Sequence, residues 1–348
     1  MKTESEHKYT STGIKFWQHR GAMQAYKDGD PNTVVSTHIA PEGACNLKCP
    51  YCSVTHRKVH NRIDLDTIFK YVDDLMGLGL KAVILTGGGE PTIYPHFNKL
   101  VRGLKSRGLS VALITNGTQS RRVDPDVWGM FSWIRFSINM FKGWDDSIKI
   151  PSNLTDDNCV IGSSFVFTQK HEKAESIDVD LLKRVAAVAR RSDARYVRLL
   201  PNCLLPQKSL IGSHDLLEEL LQFVDDRIFF HQHKLHGSPN CSKCHQSHFR
   251  PYLSEVPHGD TGIPGSVYPC DSVVLNNEYA EFVERYQLCA PGDVLKYMNG
   301  EIKQKFDAKE HCTGCVFTDT VNMLDRWMIE GEEQFDSLGE PTMHGEFV

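Results

Sequence analysis

Six times between residues 34 and 231 a short β-branched or apolar run gives way to a longer amphipathic stretch. That repetition constrains the fold more than any other feature of the chain. The runs lie near Thr33–Ile39, Ala82–Thr86, Ser110–Thr115, Trp133–Ile138, Val160–Phe167 and Tyr196–Leu200. Among the stretches that follow, Asp64–Met76, Phe97–Ser106, Val179–Arg191 and His214–Val224 place apolar residues at i, i+3, i+4 and i+7, the spacing of helices that pack one face on a sheet. Strands alternating with such helices imply βα units around a parallel sheet. Six units are two short of a closed eight-stranded barrel. The expected architecture is therefore α/β, a partial (β/α)6 barrel open on one side and able to admit a bulky substrate.

The regular alternation stops near His231, where a Gly-, Pro- and His-rich stretch leads into a region of cysteines, turns and short strands. The expected organisation is an N-terminal extension at 1–33, the barrel at 34–231, a small cysteine-rich α+β domain at 232–330 and an acidic tail at 331–348. Hydrophobic residues at 40% and charged residues at 24% allow a real core and exclude a disordered chain. A net charge of −5 offers no basic footprint for a nucleic-acid polymer. No apolar run approaches the ~20 residues of a membrane helix, and the polar start MKTESEHKYTSTG lacks a secretory core. A cytoplasmic protein with no membrane partner is expected.

Eleven cysteines in a reducing compartment point to metal binding or catalysis rather than disulfides. They form two groups. Cys45, Cys49 and Cys52 lie within eight residues, in the loop after the first strand; GGGEP follows the second strand and TNGT the third. In barrels of this kind the working groups occupy such loops. Three thiolates this close can face one iron–sulfur cubane and leave its fourth iron without a protein ligand. A zinc site completed by His56 or His60 is the competing reading.

The run CNLKCPYC, with Tyr51 before the last cysteine, resembles the defining motif of the radical S-adenosylmethionine (radical SAM) enzymes, which use a TIM-like barrel. The resemblance implies a [4Fe–4S] cluster on Cys45, Cys49 and Cys52. Its open iron would chelate the methionine end of S-adenosylmethionine, whose reductive cleavage yields a radical that abstracts hydrogen from substrate. Gly87, Gly88, Gly89 and Glu90 of GGGEP match the family's cradle for the methionine amino group. The match further implies cofactor contacts from Asn116 in TNGT and from Ser137 and Asn139 in SIN. Strand parity adds Ser164 and Arg198 as residues facing the barrel mouth.

The second group resembles the twitch or SPASM-like auxiliary domain of some of these enzymes, on Cys244, the hairpin phrase GSVYPC ending at Cys270, and the pair Cys312 and Cys315. Those four cysteines would ligate a second [4Fe–4S] cluster. Cys241 and Cys289 are further candidates, and a zinc ribbon from Cys241, Cys244, Cys312 and Cys315 is the alternative. The five histidines of 231–248 read as linker residues without a metal role.

Together these features imply an enzyme that oxidises, or forms a bond in, a small molecule, nucleoside or modified nucleotide, served by an electron donor such as flavodoxin or ferredoxin. A redox-neutral rearrangement, peptide maturation and glycyl-radical activation are alternatives within the class. A non-enzymatic zinc or iron–sulfur module is the alternative outside it.

Overall fold

A computed structural model of the chain describes residues 8–9, 13–55, 58–139, 154, 159–168, 175–224, 227–276, 285–330 and 343–348. Its strands are β1 (Ser36–Ile39), β2 (Ala82–Leu85), β3 (Ser110–Thr115), β4 (Trp133–Ser137), β5 (Val160–Thr168), β6 (Glu175–Ser176), β7 (Tyr196–Pro201), β8 (Phe229–His231), β9 (Tyr252–Pro257) and β10 (Pro264–Tyr268). All six expected strands are present, close to their expected bounds. They join one sheet in the order β10-β9-β1-β2-β3-β4-β5-β7-β8, with β6 beside β5. Every pairing along the path from β1 to β8 is parallel.

The longer helices are α1 (Arg20–Lys27), α2 (Leu65–Met76), α3 (Phe97–Ser106), α4 (Val179–Arg191), α5 (Gln207–Leu221) and α6 (Thr318–Glu330). Asp64 caps α2 by accepting from the Asp66 and Thr67 N–H groups, and Asp178 caps α4 through Leu181. The apolar stripe of α2, with Ile68, Tyr71, Val72 and Leu75 buried, meets Val83, Leu85, Val111 and Leu113 on the outer face of the sheet. Each such side chain removed from water contributes about 1.5–3 kcal/mol.

The other face looks inward. Paired registers place His38, Ile84, Ala112, Trp133 and Val160 in one row, and Arg135, Gly162 and Tyr196 in another. One cavity is lined from β1 round to the residues after β8, which a flat sheet could not achieve. The strands wrap into a partial barrel.

Four features differ from expectation. A seventh parallel strand, β8, adds an edge; three residues, Phe-Phe-His, are too few to show a period. Helix α5 begins at Gln207, well before His214, because Pro206 sets its first turn while Ser209, Gly212 and Ser213 blur the apolar spacing. The region after residue 232 is also joined to the barrel sheet: β9 pairs parallel to β1, and β10 antiparallel to β9. Residues 343–348, from the stretch read as a tail, pack inside, with Phe347 against Ala82, Ile84, Ala112 and Trp133.

Candidate active site

From β1 the chain passes through Glu42 into the loop of Cys45, Cys49 and Cys52. Glu42 is buried, accepts from the Ala44 N–H (3.1 Å) and pairs with Arg62 Nε at 2.7 Å, tying the two ends of the loop together. The Cys52 N–H bonds to the Cys49 carbonyl at 3.1 Å. All three half-buried thiols line one cavity of about 410 Å³.

Gly87, Gly88 and Gly89 follow β2 and lie against that loop. The Gly89 N–H bonds to the Glu42 carbonyl at 2.7 Å, and the Glu90 N–H to the Ala44 carbonyl at 2.8 Å. A Cβ on Gly89 would strike the Ala44 carbonyl; one on Gly88 would strike the Glu255 carboxylate, which comes from β9. Close approach of backbone and a buried acid therefore requires glycine here.

Glu90 spends its carboxylate on the protein. It accepts from the Thr92 N–H (3.1 Å), the Thr92 hydroxyl (2.7 Å), the Asn116 N–H (2.8 Å) and the Thr115 hydroxyl. Burial pushes its pKa up against those four bonds. The result is a clamp between the loops after β2 and β3. Asn116 extends the clamp to the cysteines: its Nδ2 donates to Asn46 Oδ1 at 3.0 Å and lies 3.9 Å from Cys45 Sγ, while the Leu47 N–H is 3.5 Å from the same sulfur. Two N–H groups thus aim at one sulfur.

Tyr51, Ser137 and Arg198 also line the cavity. Asn139 is buried elsewhere, its amide closed on the backbone of Val166 at 2.7 and 2.8 Å. Ser164 sits in register between Ser137 and Arg198 and is buried, outside the lining residues. The rest of the wall came from residues that sequence reading passed over, among them Lys15, His38, Arg135, Lys234, Arg250 and Asp271. Arg135 carried a signal, since it shares a strand face with Trp133 and Ser137. The others reach the cavity from separate segments and carried none.

That wall is cationic. Burial, reinforced by Arg135, lowers Arg198 to about 9 and Lys15 to about 7. Although burial opposes it, His38, Arg250 and Lys234 hold the Asp271 carboxyl well below its usual range. Among the described residues His38 Nε2, Arg198 Nε, Arg250 Nη2, Gln232 Oε1 and Asp271 Oδ1 have no hydrogen-bond partner. Each such buried group costs about 1–3 kcal/mol, so their convergence on one cavity marks a place for a polar ligand.

Cys244, Cys270, Cys312 and Cys315 line a second, smaller cavity with Pro239, Val273 and Phe317. Burial and the neighbouring thiols raise Cys244 and Cys270 far above the ordinary thiol range. Cys241 turns elsewhere, toward His245 and Asp325, and Cys289 is buried beside Val267. Neither lines this cavity, so the sulfur set that converges differs from the zinc-ribbon set by having Cys270 in place of Cys241.

Residues 41–138 match the Radical SAM superfamily. The chain is 38% identical over 76 residues, 21% of either chain, to the tungsten-containing aldehyde ferredoxin oxidoreductase cofactor-modifying protein of Pyrococcus furiosus. It is 29% identical over 108 residues, 30% of this chain and 38% of the other, to an S-adenosylmethionine-dependent nucleotide dehydratase of Selenomonas ruminantium. These matches span between a fifth and two-fifths of the relatives' own length. SuiB of Streptococcus suis, solved with its precursor peptide SuiA, has 13% identity and a TM-score of 0.48 over 88% of this chain and 65% of that one. With the cysteine loop after β1, the glycine loop after β2 and the parallel strands that present them, residues 41–138 form a radical SAM superfamily domain, of the kind that uses a [4Fe–4S] cluster and S-adenosylmethionine.

Proposed function

We propose that this enzyme oxidises a small anionic substrate bound between the cysteine loop and the cationic wall, and that Cys45, Cys49 and Cys52 hold its catalytic [4Fe–4S] cluster. The observation that carries the reading is one cavity lined both by the three thiols and by Arg135, Arg198, Lys234 and Arg250. When bound, the cluster and S-adenosylmethionine supply hydrogen-atom abstraction. The chain's own residues do the rest. Gly87–Gly89 let a ligand approach the backbone, and Glu90 and Asn116 hold the three loops in register. Arg198, Lys234 and Arg250 orient the anionic group, and Trp133 and Tyr196 supply apolar wall that excludes water. Two relatives are named for nucleotide substrates, a nucleotide dehydratase and a GTP 3',8-cyclase, which accords with an anion-binding wall.

Cys244, Cys270, Cys312 and Cys315 would ligate a second [4Fe–4S] cluster, in the manner of a twitch or SPASM-like domain at 232–330. Held by those four cysteines, the second cluster would supply an electron acceptor, so that a substrate that has lost one hydrogen atom could complete a two-electron oxidation with the remaining proton passing to solvent. A ferredoxin or flavodoxin would supply the electron that starts the cycle. Anaerobic reconstitution is expected to load about eight irons per chain, and the Cys312→Ala/Cys315→Ala variant about four. Reduced wild type and variant should both release 5'-deoxyadenosine from S-adenosylmethionine. Zinc in place of iron at the first three cysteines, or no nucleoside release from loaded protein, would sink the reading.

A further inference from the structure

Three histidines meet on the outer face of the barrel, behind the substrate wall. His214 lies on α5, His231 ends β8 and His233 follows two residues later. Alternation along the chain separates them from the cavity: Gln232 and Lys234 line it, whereas His231 and His233 stack against His214 of the helix. Ring centroids are 4.7 Å apart for His214 and His231, 5.2 Å for His214 and His233, and 4.0 Å for His231 and His233. One ring nitrogen from each lies within 4.8 Å of the other two. Glu218, one turn along α5, brings Oε1 to 3.0 Å from His233 Nε2 and 3.8 Å from His231 Nδ1.

The ring nitrogens face one another. His214 Nε2 lies 3.0 Å from the Lys234 carbonyl and 3.3 Å from the Lys234 N–H, which leaves Nδ1 toward the other rings. That Nδ1 meets His231 Nε2, and His231 Nδ1 faces the Glu218 carboxylate. A metal ion replacing the proton between the His214 and His231 rings would be held by their lone pairs and by the adjacent carboxylate. The bond from His214 to the Lys234 carbonyl is the kind of outer contact that fixes the tautomer of a ligating imidazole.

We propose that His214, His231 and His233, with the Glu218 carboxylate as fourth ligand, bind a divalent transition metal, zinc by the chemistry of the donors. Three imidazoles and a carboxylate match tetrahedral zinc, which has no redox role to disturb radical chemistry. The ion clamps α5 to the short edge strand β8 and thereby steadies Gln232 and Lys234 in the cavity wall. The inference is independent of the iron sites.

The test uses anaerobically prepared, iron-loaded full-length protein titrated with zinc chloride, with zinc and iron counted by mass spectrometry and affinity read by competition with a chromophoric chelator. The His233→Ala and Glu218→Ala variants are informative because both side chains are partly exposed, at 39% and 58%, and their loss should leave folding intact. Wild type is expected to bind about one zinc per chain more than His233→Ala, with equal iron in both. Affinity should fall about tenfold or more in each variant, and zinc should raise the melting temperature of wild type alone. Equal zinc affinity in wild type and His233→Ala, or no zinc uptake by wild type, overturns the proposal. Loss of iron with zinc binding retained would instead count against the cluster assignments and leave this site standing.

Discussion

At the residue scale, Lys15 shows what a buried cation costs. Its ammonium reaches the His344 carbonyl at 3.2 Å, inside the barrel and beside Arg135. Burial first, and Arg135 second, lower its pKa from 10.5 to about 7. Between those values the unfolded chain binds the proton that the folded chain has released. The penalty is therefore full below pH 7 and relieved as pH rises toward 10.5, so stability should increase with pH across that window. Relative to Lys15→Met, wild type is expected to gain a few kcal/mol between pH 6.5 and 9.5 in urea unfolding. No change in the difference would show that Lys15 stays charged. Nothing in the polar N-terminal stretch hinted at this burial, because the partners that create it lie in β4 and in residues 343–348.

At the scale of elements, the loop after β2 is held by the loop after β1 on one side and by β9 on the other. Gly88 faces the Glu255 carboxylate of β9, so Gly88→Ala should displace either the loop or the acid. S-adenosylmethionine affinity is expected to fall at least about tenfold, or 1.4 kcal/mol. The Gly88→Ala/Glu255→Ala double variant should recover part of that loss, as read by calorimetric titration. Failure of the second substitution to help would mean the glycine serves the ligand directly rather than the packing. The place of the triple glycine after a strand was legible in the sequence. The neighbour that demands it was not, since β9 lies far along the chain and reaches β2 only through its pairing with β1.

At the scale of the whole molecule, residues 343–348 contribute to the barrel interior. Phe347 fills the space between Ala82, Ala112 and Trp133 and also lines the cavity. Phe347→Ala should cost about 3–5 kcal/mol by leaving a void, and should raise solvent access to the cavity. Urea unfolding and tryptophan quenching at Trp133 would read the two effects, and a cost under about 1 kcal/mol would show that the ring is replaceable. Among the described residues no helix is long and apolar enough to cross a membrane.

The sequence by itself determined what depends on local order. Apolar runs at regular intervals specify parallel strands, three cysteines within eight residues specify a cysteine loop after the first of them, and a strand followed by three glycines specifies a turn without side chains. These are short-range properties of spacing and side-chain chemistry. The tertiary structure alone decided which buried charges share a wall, that Glu90 and Asn116 brace the loops, that Cys241 and Cys289 lie away from the cavity lined by Cys244, Cys270, Cys312 and Cys315, and that three histidines from a helix and an edge strand converge. Each of these rests on contacts between segments distant in the chain, and their energy depends on burial and mutual orientation, which no spacing along the chain encodes.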